Sequence, residues 1–301
     1  MNSKLFALTA VSLLALTACS GGGSADSPST SPITVNPPTG QNSLTNKYAD
    51  IVSGRVIIEH SDWIDDQTGW EIYDYETTDL AAADTQKKDL NSFKITSGKT
   101  TYVIHMPKQG DKDFKQYGNF VVNVVDMGNN AEVANTWGTN LSYARYGLAY
   151  GDTDHTQDPN AKYSVFYGMF HQGYLTDPAG MPTAGTVNYK GEAIVWNGQP
   201  NIDETGISKN ATFVADFSKK QFTGKISNIN VIEPDQYSKV TTIPDISLAG
   251  TIVGNKVTGK NAEGTVIDAG FYGPNAAEVA GSFVNQEKVF EGAFGAKKVN
   301  Q

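Results

Sequence analysis

The residues of this chain with the clearest capacity for chemistry are one cysteine and four histidines. Cys19 closes the run Leu16-Thr17-Ala18-Cys19. Small residues before a thiol form the pattern at which lipoprotein signal peptidase cuts once diacylglycerol is on the sulfur, so Cys19 is the expected lipidation site and new N-terminus. The plainer alternative is an ordinary signal cut beside an incidental cysteine, but this is the sole cysteine in the sequence and it sits where the pattern needs it. His60, His105, His155 and His171 are the strong axial-ligand candidates for haem iron. Of these, His171 follows Val165-Phe166-Tyr167-Gly168-Met169-Phe170 and precedes Gln172-Gly173-Tyr174, a setting that would give haem both an iron ligand and apolar cover. His105 has similar company in Tyr102-Val103-Ile104-His105-Met106. The competing reading of each is an ordinary strand histidine. The run Asp152-Thr153-Asp154-His155-Thr156-Gln157-Asp158 carries carboxylates but lacks the glycine and terminal glutamate of a calcium loop, so it reads as a solvated acidic loop and no metal site is expected. The chain contains no G-x-S-x-G elbow, H-E-x-x-H pair or P-loop, and lipidation of Cys19 removes the thiol nucleophile. A binding protein is expected, not an enzyme.

These residues need elements to carry them. Lys4 precedes an apolar run, Leu5 to Leu16, with the charge and length of a secretory signal and too short to span a bilayer, so residues 1–18 are read as a lipoprotein signal peptide. Each methylene of an added acyl chain buried in lipid stabilises anchoring by about 0.8 kcal/mol, which makes attachment by several chains effectively permanent. Ser20, in place of the aspartate that favours inner-membrane retention in enteric-type bacteria, directs the expectation to the outer membrane. Residues 19–48 are rich in Gly, Ser, Thr, Pro and Asn with few large apolar side chains, and read as a disordered tether. Its root-mean-square reach would be about 30 Å.

The net charge of −9 argues against nucleic acid or an anionic membrane surface as a partner. From residue 49 onward apolar residues recur every two positions with frequent glycines, the pattern of an all-β protein. Eight strands are predicted after residue 182: Thr186 to Trp196, Ala211 to Phe217, Gln221 to Val231, Asp245 to Val253, Lys256 to Lys260, Thr265 to Tyr272, Val279 to Val284 and Val289 to Phe294. In the second of these Phe213, Ala215 and Phe217 share a face. Short connections at Ser218-Lys219-Lys220 and around Gly254-Asn255 suit hairpins. Eight antiparallel strands in succession predict an up-and-down barrel over 183–301, with a β-sandwich as the alternative. Residues 49–182 are less regular, with strand-like runs at Val52 to Glu59, Thr101 to Met106, Phe120 to Val125 and Ser164 to Phe170, and a short helix from Asp79 to Leu90. Trp63, Trp70, Trp137 and Trp196 are candidate anchors for a partner, weighed against core packing.

Three blocks carry a family resemblance. Met181-Pro182-Thr183-Ala184-Gly185-Thr186-Val187-Asn188-Tyr189-Lys190-Gly191 is the first, and Phe213 to Phe217 followed by Phe222-Thr223-Gly224 the second. The third is Gly270-Phe271-Tyr272-Gly273-Pro274-Asn275-Ala276-Ala277-Glu278, continued by Gly281-Ser282-Phe283 and Gly292-Ala293-Phe294-Gly295-Ala296-Lys297-Lys298. In order and spacing they resemble the barrel domain of transferrin-binding-protein-B-like lipoproteins, and Tyr143-Ala144-Arg145-Tyr146-Gly147 resembles the N-terminal domain of single-lobed members of the hemophilin and NilC kinds. The resemblance implies a β-rich handle domain at 49–182, an eight-stranded barrel at 183–301, and export to the cell surface by a Slam-type protein of the type XI secretion class. It implies a host protein, glycan or haem as ligand without choosing among them. One handle and one barrel differ from the two-lobed transferrin receptors, which argues against a transferrin receptor. Within the signature, the glycines are expected at turns and crowded crossings and Phe271, Phe283 and Phe294 in the core.

Overall fold

The computed structural model describes residues 55–64, 71–79, 90–97, 100–111, 114–126, 131–152, 164–198, 204–232 and 241–299. Cys19 and the 19–48 tether, Trp70, residues 153–163 with His155, and residues 80–89 of the expected helix lie outside the described residues.

Nine strands make the N-terminal part: β1 (Arg55–Ile64), β2 (Glu71–Asp79), β3 (Ser92–Ser97), β4 (Thr100–His105), β5 (Phe114–Tyr117), β6 (Phe120–Asp126), β7 (Ala131–Gly138), β8 (Ala144–Asp152) and β9 (Ser164–Gly173). Seven of them form one sheet in the order β2-β1-β9-β8-β7-β6-β5, and β3 pairs with β4 in a separate hairpin. The four strand-like runs read from the sequence overlap β1, β4, β6 and β9. Strands β2, β3, β5, β7 and β8 were not anticipated. The reason is plainest at β8, where Ala144 through Ala149 are all buried, Arg145 included, so no in–out alternation exists to be read.

The second part comprises β10 (Thr186–Asn197), β11 (Glu204–Asp216), β12 (Gln221–Val231), β13 (Thr242–Ile243), β14 (Ile246–Val253), β15 (Lys256–Lys260), β16 (Val266–Tyr272), β17 (Glu278–Asn285) and β18 (Phe290–Lys298). Every pairing among them is antiparallel, and β10 closes on β18 from Tyr189↔Lys298 to Asn197↔Phe290. The result is an eight-stranded up-and-down barrel, with the two-residue β13 lying beside β12. The sandwich alternative is excluded by that closure. The expected strands differ mainly at β11, which begins seven residues earlier, at Glu204, because the polar stretch Glu204–Asn210 is held by pairing to β10 and β12 and not by an apolar pattern of its own.

Turn chemistry follows the residues. Gly254 takes φ +60° between β14 and β15, as a tight hairpin requires. At the β11–β12 turn the left-handed position falls to Lys220, with φ 55°, while Asp216 Oδ1 accepts the Lys219 N–H at 2.9 Å. That hydrogen bond, followed by the Lys219 ammonium, holds the Asp216 carboxyl below its usual value.

The barrel interior is filled by aromatic rings. Phe294 stacks on Phe213 at 4.3 Å between centroids, Phe213 on Phe222 at 5.7 Å, and Phe217 leans on Phe271 at 5.3 Å. Val195, Ile226, Leu248, Val257, Ile267 and Val279 complete this core. Offset and tilted ring pairs of this kind contribute about 0.5–1.5 kcal/mol each beyond the area they bury. Phe271, Phe283 and Phe294 therefore take the core positions expected of them.

Candidate functional site at the domain seam

The outer faces of β16, β17 and β18 are covered by the handle. Leu141, Ala144, Tyr146, Leu148, Met169 and Phe120 from the handle share a buried cluster with Ile194, Ile207, Tyr272, Ala280 and Ala293 from the barrel. Small residues on the barrel side admit large ones from the other. A Cβ on Gly295 would lie 2.2 Å from the Tyr146 ring, so only glycine leaves room for that ring. The Tyr146 hydroxyl bonds Asn140 Oδ1 at 2.9 Å, and Asn140 Nδ2 donates to Gly295 O at 3.2 Å. Burial pushes the Tyr146 phenol well above its usual value, with the nearby Glu192 adding to the effect, so it stays a neutral donor.

The chain segment between the two parts is bonded on both sides. The Tyr174 N–H donates to Tyr143 O, the Gly273 N–H to Tyr174 O, and the Thr176 N–H to Phe271 O, each within 2.9 Å. Thr176 Oγ1 donates to Gly273 O at 2.6 Å, and Asn255 Nδ2 donates to Thr176 O at 2.8 Å. The connection thus crosses the seam through a single antiparallel bridge, Leu175↔Tyr272, followed by a short 3-10 turn, Pro178–Gly180, capped by Asp177.

Glu278 completes the junction. It is 2% exposed, and its carboxylate accepts the N–H of Ser142 at 2.6 Å and of Tyr143 at 2.7 Å. A barrel carboxylate thereby satisfies two consecutive donors of a handle loop. Burial raises its pKa above the usual 4.5, against the opposing pull of those two N–H groups, Lys297 and Arg145. Arg145 is itself fully buried and donates from Nη1 to Leu141 O at 2.8 Å and Ala144 O at 2.7 Å, shaping the loop that Glu278 holds. In the sequence, Glu278 was legible only as the end of a family signature, and nothing near it in the chain marks its partners, which lie 135 and 136 residues away.

The predicted site residues fall in different places. His171 is in this seam, 4% exposed, with Nδ1 hydrogen-bonded to the Tyr272 hydroxyl at 2.7 Å and Nε2 3.5 Å from Asp268 Oδ1. An iron-ligand role would have to break those contacts. His105 is exposed at the end of β4, on the small hairpin and not on the sheet that carries His171, so the two histidines are not brought together on one element. Trp137 is fully buried with its ring 4.4 Å from that of Phe170, and it presents no face to a partner; core packing describes it. Trp196 is half-buried and packs against the seam cluster. Trp63 is placed by its backbone on β1, opposite Ile72 of β2.

The described residues thus form a closed barrel with a packed interior, covered on one flank by a β-sheet domain. The family described as C-lobe and N-lobe beta barrels of Tf-binding protein B matches residues 181–298. The match is confined to that segment, the eight-stranded barrel. Among curated proteins, transferrin-binding protein B of Haemophilus influenzae is 26% identical over 168 residues, covering 50% of this chain and 26% of that protein. An uncharacterized protein of the same species is 32% identical over 132 residues, covering 43% and 42%. The chain spans about a quarter of the length of the transferrin-binding proteins B that it matches in Haemophilus influenzae. Among solved structures, a transferrin-binding protein B variant from Haemophilus parasuis superposes with a TM-score of 0.46 at 20% identity, over 83% of this chain and 45% of that one. The family, and the transferrin-binding proteins B among these relatives, are ligand-binding proteins and not enzymes.

Proposed function

We propose that this protein is a surface-exposed outer-membrane lipoprotein, held by acyl chains on Cys19 and carried across the outer membrane by a Slam-type exporter, that binds a host-derived protein or glycan. The observation that carries the reading is the filled barrel: with Phe213, Phe222, Phe271, Phe283 and Phe294 packed inside it, the interior has no room for a cargo, so recognition falls to loops and outer faces. The barrel's kinship with a family of surface receptors, and the lipobox ahead of a long polar tether, support the same reading. The handle–barrel seam serves this function by presenting both domains as one rigid surface.

Protease shaving of intact producing cells tests the placement. Loss of the handle and barrel from intact cells, and protection when Cys19 is changed to Ser or the exporter is absent, is the expected result. Protection in intact cells with cleavage only after permeabilisation would overturn surface display. Haemin titration separates the proposal from haem carriage: a flat visible spectrum is expected because His171 is engaged within the seam, whereas a saturable Soret band abolished by His171→Ala would favour haem as the ligand.

A further inference from the structure

The two ends of the barrel differ in chemistry. One end gathers the turn Ser218-Lys219-Lys220, the hairpin tip from Val253 to Lys256, the connection from Asp177 to Gly185 and the close of β18. These pieces are tied together: the Ile252 N–H donates to Lys220 O at 2.9 Å, the Gly185 N–H to Ser218 Oγ at 2.9 Å, and Asn255 Nδ2 to Thr176 O at 2.8 Å. Lys219, Lys220 and Lys256 are exposed there, and Lys220 and Lys256 make no ion pair among the described residues. The nearby carboxylates of Asp177 and Asp216 are turned back to backbone N–H groups of their own turns, and Asp216 also meets Lys219 at 3.3 Å. Val253, at the hairpin tip, is 66% exposed, the most open large apolar side chain among the described residues, and Val299 beyond β18 is exposed at the same end. At the far end the described turns carry Glu263 and Glu287, with Lys288 paired to Glu263.

Strand direction relates the first end to the anchor. Strand β1 lies antiparallel to β9, from Ile57↔Tyr167 to His60↔Ser164, so it begins on the side toward which β9 runs. Strand β9 leads through Tyr174 and Thr176 into the connection at the lysine-bearing end. The chain that carries Cys19 therefore enters the fold from that side. A polar chain of the length between Cys19 and Arg55 has a reach of about 30 Å. The whole-chain charge of −9 opposes an anionic surface, but nearly all of that excess lies in residues 49–182, and the barrel by itself is close to neutral.

We infer that this end of the barrel is a membrane-facing surface: Lys220 and Lys256, with Val253 beside them, rest on the anionic headgroup layer that holds the protein's own lipid, and the opposite end is turned outward. The inference rests on the reading of Cys19 as lipidated. One lysine near an anionic bilayer contributes roughly fivefold in affinity, so a few lysines and one valine do not hold a free protein. The anchor changes this, because it makes docking an intramolecular step with an effective concentration on the order of millimolar.

The test uses the full chain acylated at Cys19, placed in vesicles of phosphatidylcholine with or without phosphatidylglycerol and containing a lipid with a quencher on its headgroup. Acylation consumes the sole native thiol, so a dye can be carried by one introduced cysteine, Ala184→Cys beside the Ser218 turn or Glu287→Cys at the far end. Intact mass reports acylation independently of the dye. Quenching at position 184 is expected to exceed that at 287 in anionic vesicles, and to fall to the level at 287 in phosphatidylcholine alone and at high salt. Lys220→Asn with Lys256→Gln should lower the ratio of docked to undocked protein by roughly tenfold or more with the melting temperature unchanged, asparagine being suited to the φ of 55° at position 220. Equal quenching at the two positions, stronger quenching at 287, or quenching at 184 that ignores lipid charge, salt and the paired substitutions would overturn the inference and leave the lipoprotein reading in place. A chain without acyl groups on Cys19 would remove both.

Discussion

The two flanks of the barrel are built from the same antiparallel pairing and opposite surface chemistry. On β12, β14 and β15 buried and open positions alternate: Phe222, Ile226 and Ile229 point inward while Gln221, Thr223 and Lys225 face water. On β17 every residue from Glu278 to Phe283 is buried, and on β18 so is the run from Gly292 to Ala296. Both flanks send apolar residues inward, from Phe222 and Ile226 on one to Val279, Phe283 and Phe294 on the other. The outward ones differ: hydroxyl-bearing and lysine side chains on the open flank, but Ala280, Ala293 and Gly295 under the handle. A sheet face that meets water needs polar groups, whereas one that meets another domain needs room for it. Small side chains let Tyr146 and Met169 approach the barrel backbone closely enough to exclude water from the seam.

Substitutions can sharpen that contrast. The largest effect is expected for Phe294→Ala, which opens the centre of the ring cluster; loss of about 3–5 kcal/mol should appear as a fall in the denaturant midpoint for the whole barrel. Gly295→Val should cost about 1–3 kcal/mol by overpacking against Tyr146. Its particular mark would be faster proteolysis in the 174–185 connection, with the barrel itself still resistant. Glu278→Ala leaves the Ser142 and Tyr143 N–H groups without their carboxylate and should cost about 1–3 kcal/mol, again read as loosening of the handle from the barrel. On the open flank Thr223→Ala should change stability by no more than about 0.5 kcal/mol. An equal loss at Thr223 and Gly295 would mean that the two flanks are not distinguished in the way described.

The smallest expected effect is on pH dependence. Because burial raises the folded pKa of Glu278 above its unfolded value near 4.5, the stability linked to it is fully present below that value and declines as pH rises through the folded one. Asp216, lowered by the Lys219 N–H, has the opposite sign: its contribution is present above its ordinary value of 3.8 and fades as pH falls through the folded one. Melting curves of wild type and Glu278→Gln between about pH 4 and 7 should differ in slope, with the decline toward neutral pH removed in the variant. Identical slopes would show that Glu278 is not the group responsible.

How legible each part was follows from the same contrast. Strands β12, β14 and β15 could be read directly because one face meets solvent and imposes a period of two. Strand β8 could not, since Ala144 through Ala149 are buried on both faces and even the charged Arg145 is buried, held by bonds to carbonyls of its own loop. The core roles of Phe271, Phe283 and Phe294 were readable, but the partners of Glu278 were not, because no local pattern links position 278 to positions 142 and 143. His171 looked suited to iron from its apolar neighbours in sequence, while its contacts with Tyr272 and Asp268 come from 97 or more residues away along the chain.

By itself, then, the sequence determined the all-β class, the eight-stranded count of the second half, its inward-facing aromatic set and the motif around Cys19, all of which rest on short-range periodicity, turn chemistry or a contiguous motif. Only the tertiary structure decided that small residues on β17 and β18 form a docking face and that Glu278 clamps the handle. Those features arise from side chains far apart in sequence meeting across two domains, and no local pattern records which surfaces will meet.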